Sequence, residues 1–214
     1  MALSEIASFK LRILVVYFLI YGVFYILPNF RPMSQPDMMP MFPIDQGIPF
    51  LPWTFLIYTS DYFLLLLVIL LHPTIETFRS FMRQSILVLV ICGTFFLLCP
   101  TTYPRPDYPP VSNPLIALVM WVVRSADTPN NCFPSMHVAL TGIATLSLRT
   151  IQPRLFPVFA LWSTLIFLST LTTKQHYLVD VVGGINVIAF VAIFHWLVLR
   201  HLDAIWAERQ AALH

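Results

Sequence analysis

Charged residues are scarce in this chain of 214 residues, since Asp, Glu, Lys and Arg together make up only 10% of it. An average soluble domain contains about 25%. Apolar residues make up 58%, which is more than a chain of this length can bury, because small domains keep a large surface. The excess must face lipid, which excludes a soluble enzyme and a disordered chain. The net charge of +2 is too small to indicate a polyanionic partner, so no nucleic-acid binding is expected.

Six apolar segments can cross a bilayer as helices, which requires about 20 mostly apolar residues each. The third and fourth segments reach that length only when flanking residues are included. A seventh, Leu115–Val123, is too short to span and predicts an interfacial or re-entrant helix. We therefore predict an all-α fold, in which residues 1–214 form one membrane domain, a six-helix bundle with an extra interfacial helix in its third outer-side region. The predicted spans are Leu11–Leu27, Trp53–Leu71, Ser85–Cys99, Met136–Leu148, Leu155–Leu171 and Tyr177–Leu199.

Basic residues are distributed unequally between the two sides of this predicted bundle. The side that carries both termini has eight and the opposite side has four, and the positive-inside rule assigns the richer side to the cytoplasm. We therefore expect both termini to be cytoplasmic. The eight are Lys10, Arg12, Arg79, Arg83, Arg149, Arg154, Arg200 and Arg209, and the four are Arg31, Arg105, Arg124 and Lys174.

Ionisable residues in or near a span are costly, so each is a candidate for function. The stretch Asn130–His137 opens the fourth predicted span. Pro134 and Ser135 are typical of helix starts, and the free N–H groups and dipole of a helix N-terminus attract an anion. His137 would lie in the first turn, close to that anion.

A second polar stretch, Lys174–Asp180, opens the sixth predicted span. His176 and Asp180 are four residues apart and share one helix face. The Asp180 carboxylate can accept the Nδ1–H of His176, which fixes the tautomer and leaves Nε2 free as a nucleophile or base. For isolated histidines such as His72 and His195, a hydrogen bond to a neighbouring helix is the simpler interpretation.

A third polar stretch, Tyr103–Asp107, follows the third span and contains Arg105, a residue type that binds phosphate in bidentate fashion. In any six-span topology the three stretches lie on the same, outer side. Arg105 and backbone donors would hold phosphate oxygens, one histidine would attack phosphorus, and the other would protonate the leaving oxygen. No cofactor is expected, and two histidines with one aspartate are too few ligands for a metal site.

These residues resemble a known family. Pro134-Ser135-Met136-His137 and His176-x-x-x-Asp180 resemble the second and third signature motifs of the type 2 phosphatidic acid phosphatase superfamily, and Arg105-Pro106 resembles the end of the first. The resemblance covers about residues 85–200, the expected catalytic core. It implies a six-helix membrane fold and metal-independent phosphoryl transfer from a lipid substrate through a phosphohistidine. In the roles it implies, His176 is the nucleophile, Asp180 its orienting acid, His137 the general acid and Ser135 a phosphate ligand.

The chain departs from the family pattern at three positions. Leu98 and Thr170 stand where the family has phosphate-binding Lys and Arg, and Met136 stands where it has Gly. Lys174 or Arg124 could supply the missing cations. Alternatively, Lys174 contacts lipid headgroups at the membrane surface.

The departures resemble one branch of the superfamily. Met136, the His176-Tyr177 pair and the Ile48–Trp53 stretch are similar to inositol phosphorylceramide synthases and sphingomyelin synthase-like enzymes, which pass a phospho-headgroup between lipids. Tyr177 and Arg124 are therefore candidates for substrate binding. Hydrolysis and transfer differ in whether water or a lipid hydroxyl attacks the phosphohistidine, and a transferase must keep water out.

Asp61 is an acidic residue inside the second predicted span, roughly 12 Å beyond Trp53 at about 1.5 Å per residue. It either binds an acceptor or headgroup, or makes an interhelical hydrogen bond.

Two other functional classes stay open. Membrane His/Asp pairs also serve proton-coupled carriers, although the internal repeats of such carriers are not visible here. The absence of the family's phosphate-binding Lys and Arg would also be consistent with a membrane scaffold that has no catalytic activity.

Overall fold

The computed structural model describes residues 3–199, except 104 and 106, together with residues 201, 205 and 208. The chain is mostly helical. Within this described part, four helices are long and apolar enough to cross a membrane, which is typical of an integral membrane protein. These four are Glu5–Phe30, Pro52–Leu71, Ile75–Leu98 and Leu178–Val198.

The described residues form short and long helices with one pair of two-residue strands. The helices are α1 (Leu3–Tyr21), α2 (Leu27–Phe30), α3 (Pro43–Gly47), α4 (Phe55–Thr59), α5 (Asp61–Leu71), α6 (Ile75–Leu98), α7 (Pro114–Ala126), α8 (Met136–Ile151), α9 (Phe156–Thr172) and α10 (Leu178–Phe194), and the strands are β1 (Asp37–Met38) and β2 (Thr101–Thr102). A π-helical turn, Gly22–Ile26, joins α1 to α2, and a 3-10 turn, Pro52–Thr54, precedes α4. A second π-helical turn, His195–Leu199, extends α10.

Two of the predicted spans were wrong in where they begin. Helix α6 begins at Ile75 and not at Ser85, and α1 begins at Leu3 and not at Leu11. The predictions followed the apolar run alone and left out the charged residues before it. A helix continues through such residues, because long charged side chains reach the membrane surface while their stems stay among apolar groups. The Thr74 hydroxyl, which accepts from Thr77 N at 3.3 Å, marks the true start of α6.

Helix α8 lies at the centre of the bundle and packs against α5, α6, α9 and α10. It is buried along most of its length, with small residues such as Ala139, Gly142 and Ala144 at the contacts. Thr145 Oγ1 lies 2.5 Å from Ser163 Oγ of α9. Because protein and not lipid surrounds α8, it carries more small and polar residues than the outer helices do.

One end of the bundle is covered by residues 31–51, 99–103, 105, 107–113, 127–135 and 173–177, which we call the loop end. Strands β1 and β2 pair in parallel there, with Asp37 opposite Thr101. The Asn131 side chain donates to Tyr25 O at 2.9 Å, which ties this layer to the end of the first long helix. Helix α7 packs against α4 and buries only Val123 among its residues. Its position at a membrane surface stays a prediction.

Helices α8 and α10 begin side by side at the loop end. Ser135 N donates to Asp180 O at 3.0 Å. The helices approach closely because Gly184 has no side chain: a Cβ there would lie 2.7 Å from Ser135 O and 2.8 Å from Val138 Cβ. This contact sets the distance between the first turns of the two helices.

We expect Gly184→Ala to lower the free energy of unfolding by about 1–3 kcal/mol, because the added methyl group overpacks the contact between α8 and α10. The control is Gly22→Ala, where a Cβ meets nothing within 4 Å. Thermal unfolding in detergent measures both. Equal melting temperatures for the two variants would contradict the close approach.

Candidate active site

Two histidines, one in the first turn of α8 and one just before α10, lie next to each other at the loop end. The ring centroids of His137 and His176 are 5.8 Å apart, with an angle of 62° between the ring planes. His137 is in the first turn of α8, which Ser135 caps by accepting from Val138 N at 3.4 Å. His176 lies just before α10, and its backbone N–H donates to Thr170 O at 3.0 Å. The paired helix starts therefore bring the two imidazoles together.

The Asp180 carboxylate is fully buried and accepts three hydrogen bonds. Its Oδ2 accepts from His176 Nδ1 at 3.2 Å and from Tyr177 N at 3.1 Å, and its Oδ1 accepts from the Tyr103 hydroxyl at 2.7 Å. With Nδ1 donating to Asp180, the Nε2 lone pair of His176 is available for attack on an electrophile. Burial, together with the nearby Asp180 charge, raises the pKa of the Tyr103 hydroxyl, which keeps it protonated as a donor.

Tyr177 is buried behind this carboxylate. Its ring packs edge-on against Tyr103, with 4.0 Å between the centroids. The role of Tyr177 in substrate binding stays a prediction. In the structure its backbone N–H donates to Asp180 Oδ2.

The second histidine, His137, lies between a tyrosine and an aspartate of the second long helix. Its Nδ1 is 3.4 Å from the Tyr58 hydroxyl, and its Nε2 is 3.7 Å from Asp61 Oδ2. The distance to Asp61 is too long for a direct hydrogen bond. Asp61 is 3% exposed and accepts from Tyr62 N at 2.7 Å. Asp61 therefore lies beside His137.

Asp127 is a further acidic group near His137. Its two carboxylate oxygens accept from the Tyr25 hydroxyl at 2.9 Å and from the Tyr58 hydroxyl at 3.3 Å. The sequence reasoning missed Asp127, Tyr58 and Tyr103. Only Tyr58 had a usable signal, because it stands three residues before Asp61 and so shares its helix face.

Arg124 lies beside Tyr108, and the charge of Arg105 also acts on that tyrosine. The Arg124 guanidinium is 4.7 Å from the Tyr108 ring centroid. Burial raises the pKa of the Tyr108 hydroxyl, and the charges of Arg105 and Arg124 oppose this rise. Tyr108 also accepts from Gln175 Nε2 at 3.2 Å, which links it to the residue before His176. Arg105 and Arg124 therefore supply positive charge near Tyr108.

Lys174 is directed to the first loop of the loop end. Its ammonium donates to Asp45 O at 2.8 Å and to Ile48 O at 2.6 Å, so two of its three donors are used. Its φ of 57° is in the left-handed region, which a non-glycine residue adopts only at some cost. Asp45 Oδ1 also accepts from Leu178 N at 2.8 Å. Lys174 and Asp45 together hold this loop against the start of α10.

The two positions where the family cations are missing lie in different surroundings. Leu98 is 71% exposed at the end of α6, on the surface of the bundle. Thr170 is buried, and its hydroxyl donates to Phe167 O at 2.7 Å. Among the described residues, no group of three or more His, Cys, Asp and Glu side chains is arranged to hold a metal ion.

Comparison with known proteins gives one family. No curated protein matches the chain. The model of the PAP2 superfamily matches residues 49–195, more than half of the chain. This segment runs from just before α4 to the end of α10 and contains Asp61, both histidines and Asp180. Membership indicates a lipid phosphatase or phosphotransferase. On this evidence the chain belongs to the PAP2 superfamily.

Proposed function

We propose that this protein is a membrane-embedded lipid phosphatase or phosphotransferase that cleaves a phosphoester through a phosphohistidine on His176. The observation that carries the proposal is the position of His137 beside His176, whose Nδ1 is held by Asp180. Asp180 in turn is held by two further donors, so the imidazole has one fixed orientation. A nucleophile fixed by a buried third group is the usual arrangement for covalent catalysis.

The first step forms the phosphohistidine. His176 Nε2 attacks phosphorus, the bond from phosphorus to the lipid oxygen breaks, and that oxygen takes a proton from protonated His137. General acid catalysis of this kind contributes about 10²–10⁴-fold to the rate.

The second step reverses these roles. Water or a lipid hydroxyl gives its proton to His137 while its oxygen attacks phosphorus. The bond from phosphorus to Nε2 then breaks, and the electron pair returns to His176.

In this proposal Arg105 and Arg124 bind the phosphate, together with the Ser135 hydroxyl and the N–H groups at the start of α8. Guanidinium groups match phosphate oxygens in pairs, and a helix N-terminus favours an anion. The two arginines take the place of the family cations missing at Leu98 and Thr170. Lys174 acts indirectly. Its hydrogen bonds to Asp45 O and Ile48 O hold the loop over the site.

We further propose that α8 and α9 cross the membrane with the four longer helices, and that α7 lies at its surface. Both termini would then be cytoplasmic and the loop end extracytoplasmic. The support is the excess of basic residues on the side opposite to the loop end. Two of those residues, Arg200 and Arg209, lie outside the described residues.

Removing the nucleophile should abolish activity. We expect His176→Ala to form no phosphoenzyme and Asp180→Asn to slow turnover by about 10²–10⁴-fold, because its amide cannot replace the acceptor that orients the imidazole. The assays are phosphate release from phosphatidic acid and from isoprenyl diphosphate, and headgroup transfer from phosphatidylinositol to ceramide or diacylglycerol. His195→Ala, on the turn beyond α10, is the matched control and should retain activity. Equal activity of His176→Ala and the unmodified protein would refute the proposal.

The role of His137 can be tested with the leaving group. We expect His137→Ala to lose about 10²–10⁴-fold on an alkyl phosphate but far less on p-nitrophenyl phosphate, whose leaving oxygen does not need protonation. His176→Ala should be inactive on both. A uniform loss for His137→Ala on the two substrates would show that it does not act as the general acid.

The side of the membrane on which the loop end lies can be tested with a native cysteine. Cys99 at the loop end is exposed, whereas Cys92 and Cys132 are buried. We expect a membrane-impermeant maleimide to label intact cells at Cys99. The Cys99→Ser variant should not be labelled. Labelling only after the membrane is opened would place the loop end in the cytoplasm.

A further inference from the structure

A second carboxylate is linked to His137 through a single tyrosine. Asp127 Oδ2 accepts from the Tyr58 hydroxyl at 3.3 Å, and the oxygen of that hydroxyl lies 3.4 Å from His137 Nδ1. The Tyr58 and His137 rings also pack together, with 4.6 Å between their centroids. Tyr58 is buried, so bulk water does not compete for its hydroxyl. The three side chains thus form a chain of hydrogen bonds that ends at His137.

The position of each proton in this chain follows from its donors and acceptors. A carboxylate only accepts, so Asp127 takes the one hydroxyl proton of Tyr58. The Tyr58 oxygen can then only accept from His137 Nδ1, which must carry a proton. The neutral imidazole therefore has its lone pair on Nε2, and Nε2 is the nitrogen that gains and loses a proton.

The other ring nitrogen of His137, Nε2, faces Asp61. Asp61 Oδ2 lies 3.7 Å away, at one end of an apolar groove that runs between α1 and α5. This distance is too long for a direct hydrogen bond, so Asp61 does not hold the Nε2 proton itself. The contact that fixes the imidazole is therefore the one at Nδ1.

The end of the first long helix fixes Asp127 in turn. Asp127 Oδ1 accepts from the Tyr25 hydroxyl at 2.9 Å. The fully buried Asn29 accepts from Thr128 N at 3.2 Å, which holds the residue after Asp127. Both Tyr25 and Asn29 precede residues 49–195, the segment that matches the family. A part of the chain outside that segment therefore reaches His137 through Asp127.

On the basis of the proposed function, we propose that Tyr58 and Asp127 are positioning residues for the acid histidine. They hold a proton on His137 Nδ1, so that Nε2 alone gives a proton to the leaving oxygen and later takes one from the attacking group. Asp127 acts on His137 through a tyrosine, whereas Asp180 acts on His176 directly. The role is the same whether water or a lipid hydroxyl attacks.

The loss of the Tyr58 hydroxyl would remove the acceptor for the Nδ1 proton. A buried donor without a partner is unfavourable, so the neutral imidazole would lose its preference for the tautomer with the proton on Nδ1. The ring would also lose the contact that fixes its orientation. Proton transfer at Nε2 would then suffer, whereas attack by His176 would not.

The first test compares two phosphate esters. Tyr58→Phe removes the hydroxyl and keeps the ring that packs on His137. We expect turnover of n-octyl phosphate to fall about 10–100-fold, which is part of the 10²–10⁴-fold that a general acid contributes. Turnover of p-nitrophenyl phosphate should fall far less, because its leaving oxygen does not need protonation. Asp127→Asn should show the same selective loss, since an amide no longer obliges Tyr58 to donate to it.

The second test asks whether Tyr58 acts through His137. In the His137→Ala background, Tyr58→Phe should cause no further loss on n-octyl phosphate, because the effects of residues that act as one unit are not additive. The controls are Tyr17→Phe on α1 and Asp37→Asn, an exposed acid on β1. Both should retain the activity of the unmodified protein on the two esters. Size-exclusion elution confirms that each variant is folded.

An equal loss on both esters, or no loss on n-octyl phosphate, would overturn the inference. A loss from Tyr58→Phe that persists in the His137→Ala background would also overturn it, because Tyr58 would then support the fold and not the acid. Failure of the proposed function gives a different result, since p-nitrophenol release would then be absent or independent of His176.

Discussion

The buried Asp180 carboxylate is the interaction on which the rest of the site depends. A buried charge is costly unless it is hydrogen-bonded, and this one is satisfied by His176, Tyr177 N and Tyr103. The backbone carbonyl of the same residue accepts from Ser135 N, at the start of the central helix. One residue thus joins α10, α8 and the segment after α6. Any change that moved these three apart would leave the carboxylate without its donors.

This arrangement gives the two histidines different surroundings. His176 has a fully bonded carboxylate on its Nδ1, which leaves its Nε2 for attack. His137 has Asp61 at 3.7 Å and an apolar groove beneath it. A proton donor at the boundary between a polar site and an apolar groove can act on a lipid oxygen.

Sequence reasoning found the residues whose partners lie nearby in the chain. His176 and Asp180 are four apart, and Pro134 and Ser135 mark a helix start, so local rules were sufficient. Tyr103 and Asp127 were missed because their partners are distant in sequence, at Asp180 and Tyr25. Nothing in the local pattern distinguishes such residues from ordinary loop residues. The starts of α1 and α6 were misplaced because hydropathy marks the lipid-facing part of a helix and not its hydrogen-bonded ends.

The basic residues also show what local sequence patterns do not determine. Arg105, Arg124 and Lys174 were equally plausible phosphate ligands in the sequence, since each is a basic residue on the same predicted side. Only the structure shows that Lys174 is bound to the carbonyls of Asp45 and Ile48, while Arg124 lies over the Tyr108 ring. The direction of a long side chain depends on which acceptors the fold brings within reach.

The sequence by itself determined that the chain is a helical membrane protein and which histidines are candidates for chemistry. Composition and residue spacing carry that information. A helix that faces lipid must be apolar, and a polar group within it is costly and therefore a candidate for function. Only the tertiary structure decided that His137 faces Asp61, that Tyr103 completes the Asp180 site, and that a groove opens between α1 and α5. These depend on how helices pack across long sequence separations, where close contacts such as Gly184 against Ser135 set the distances.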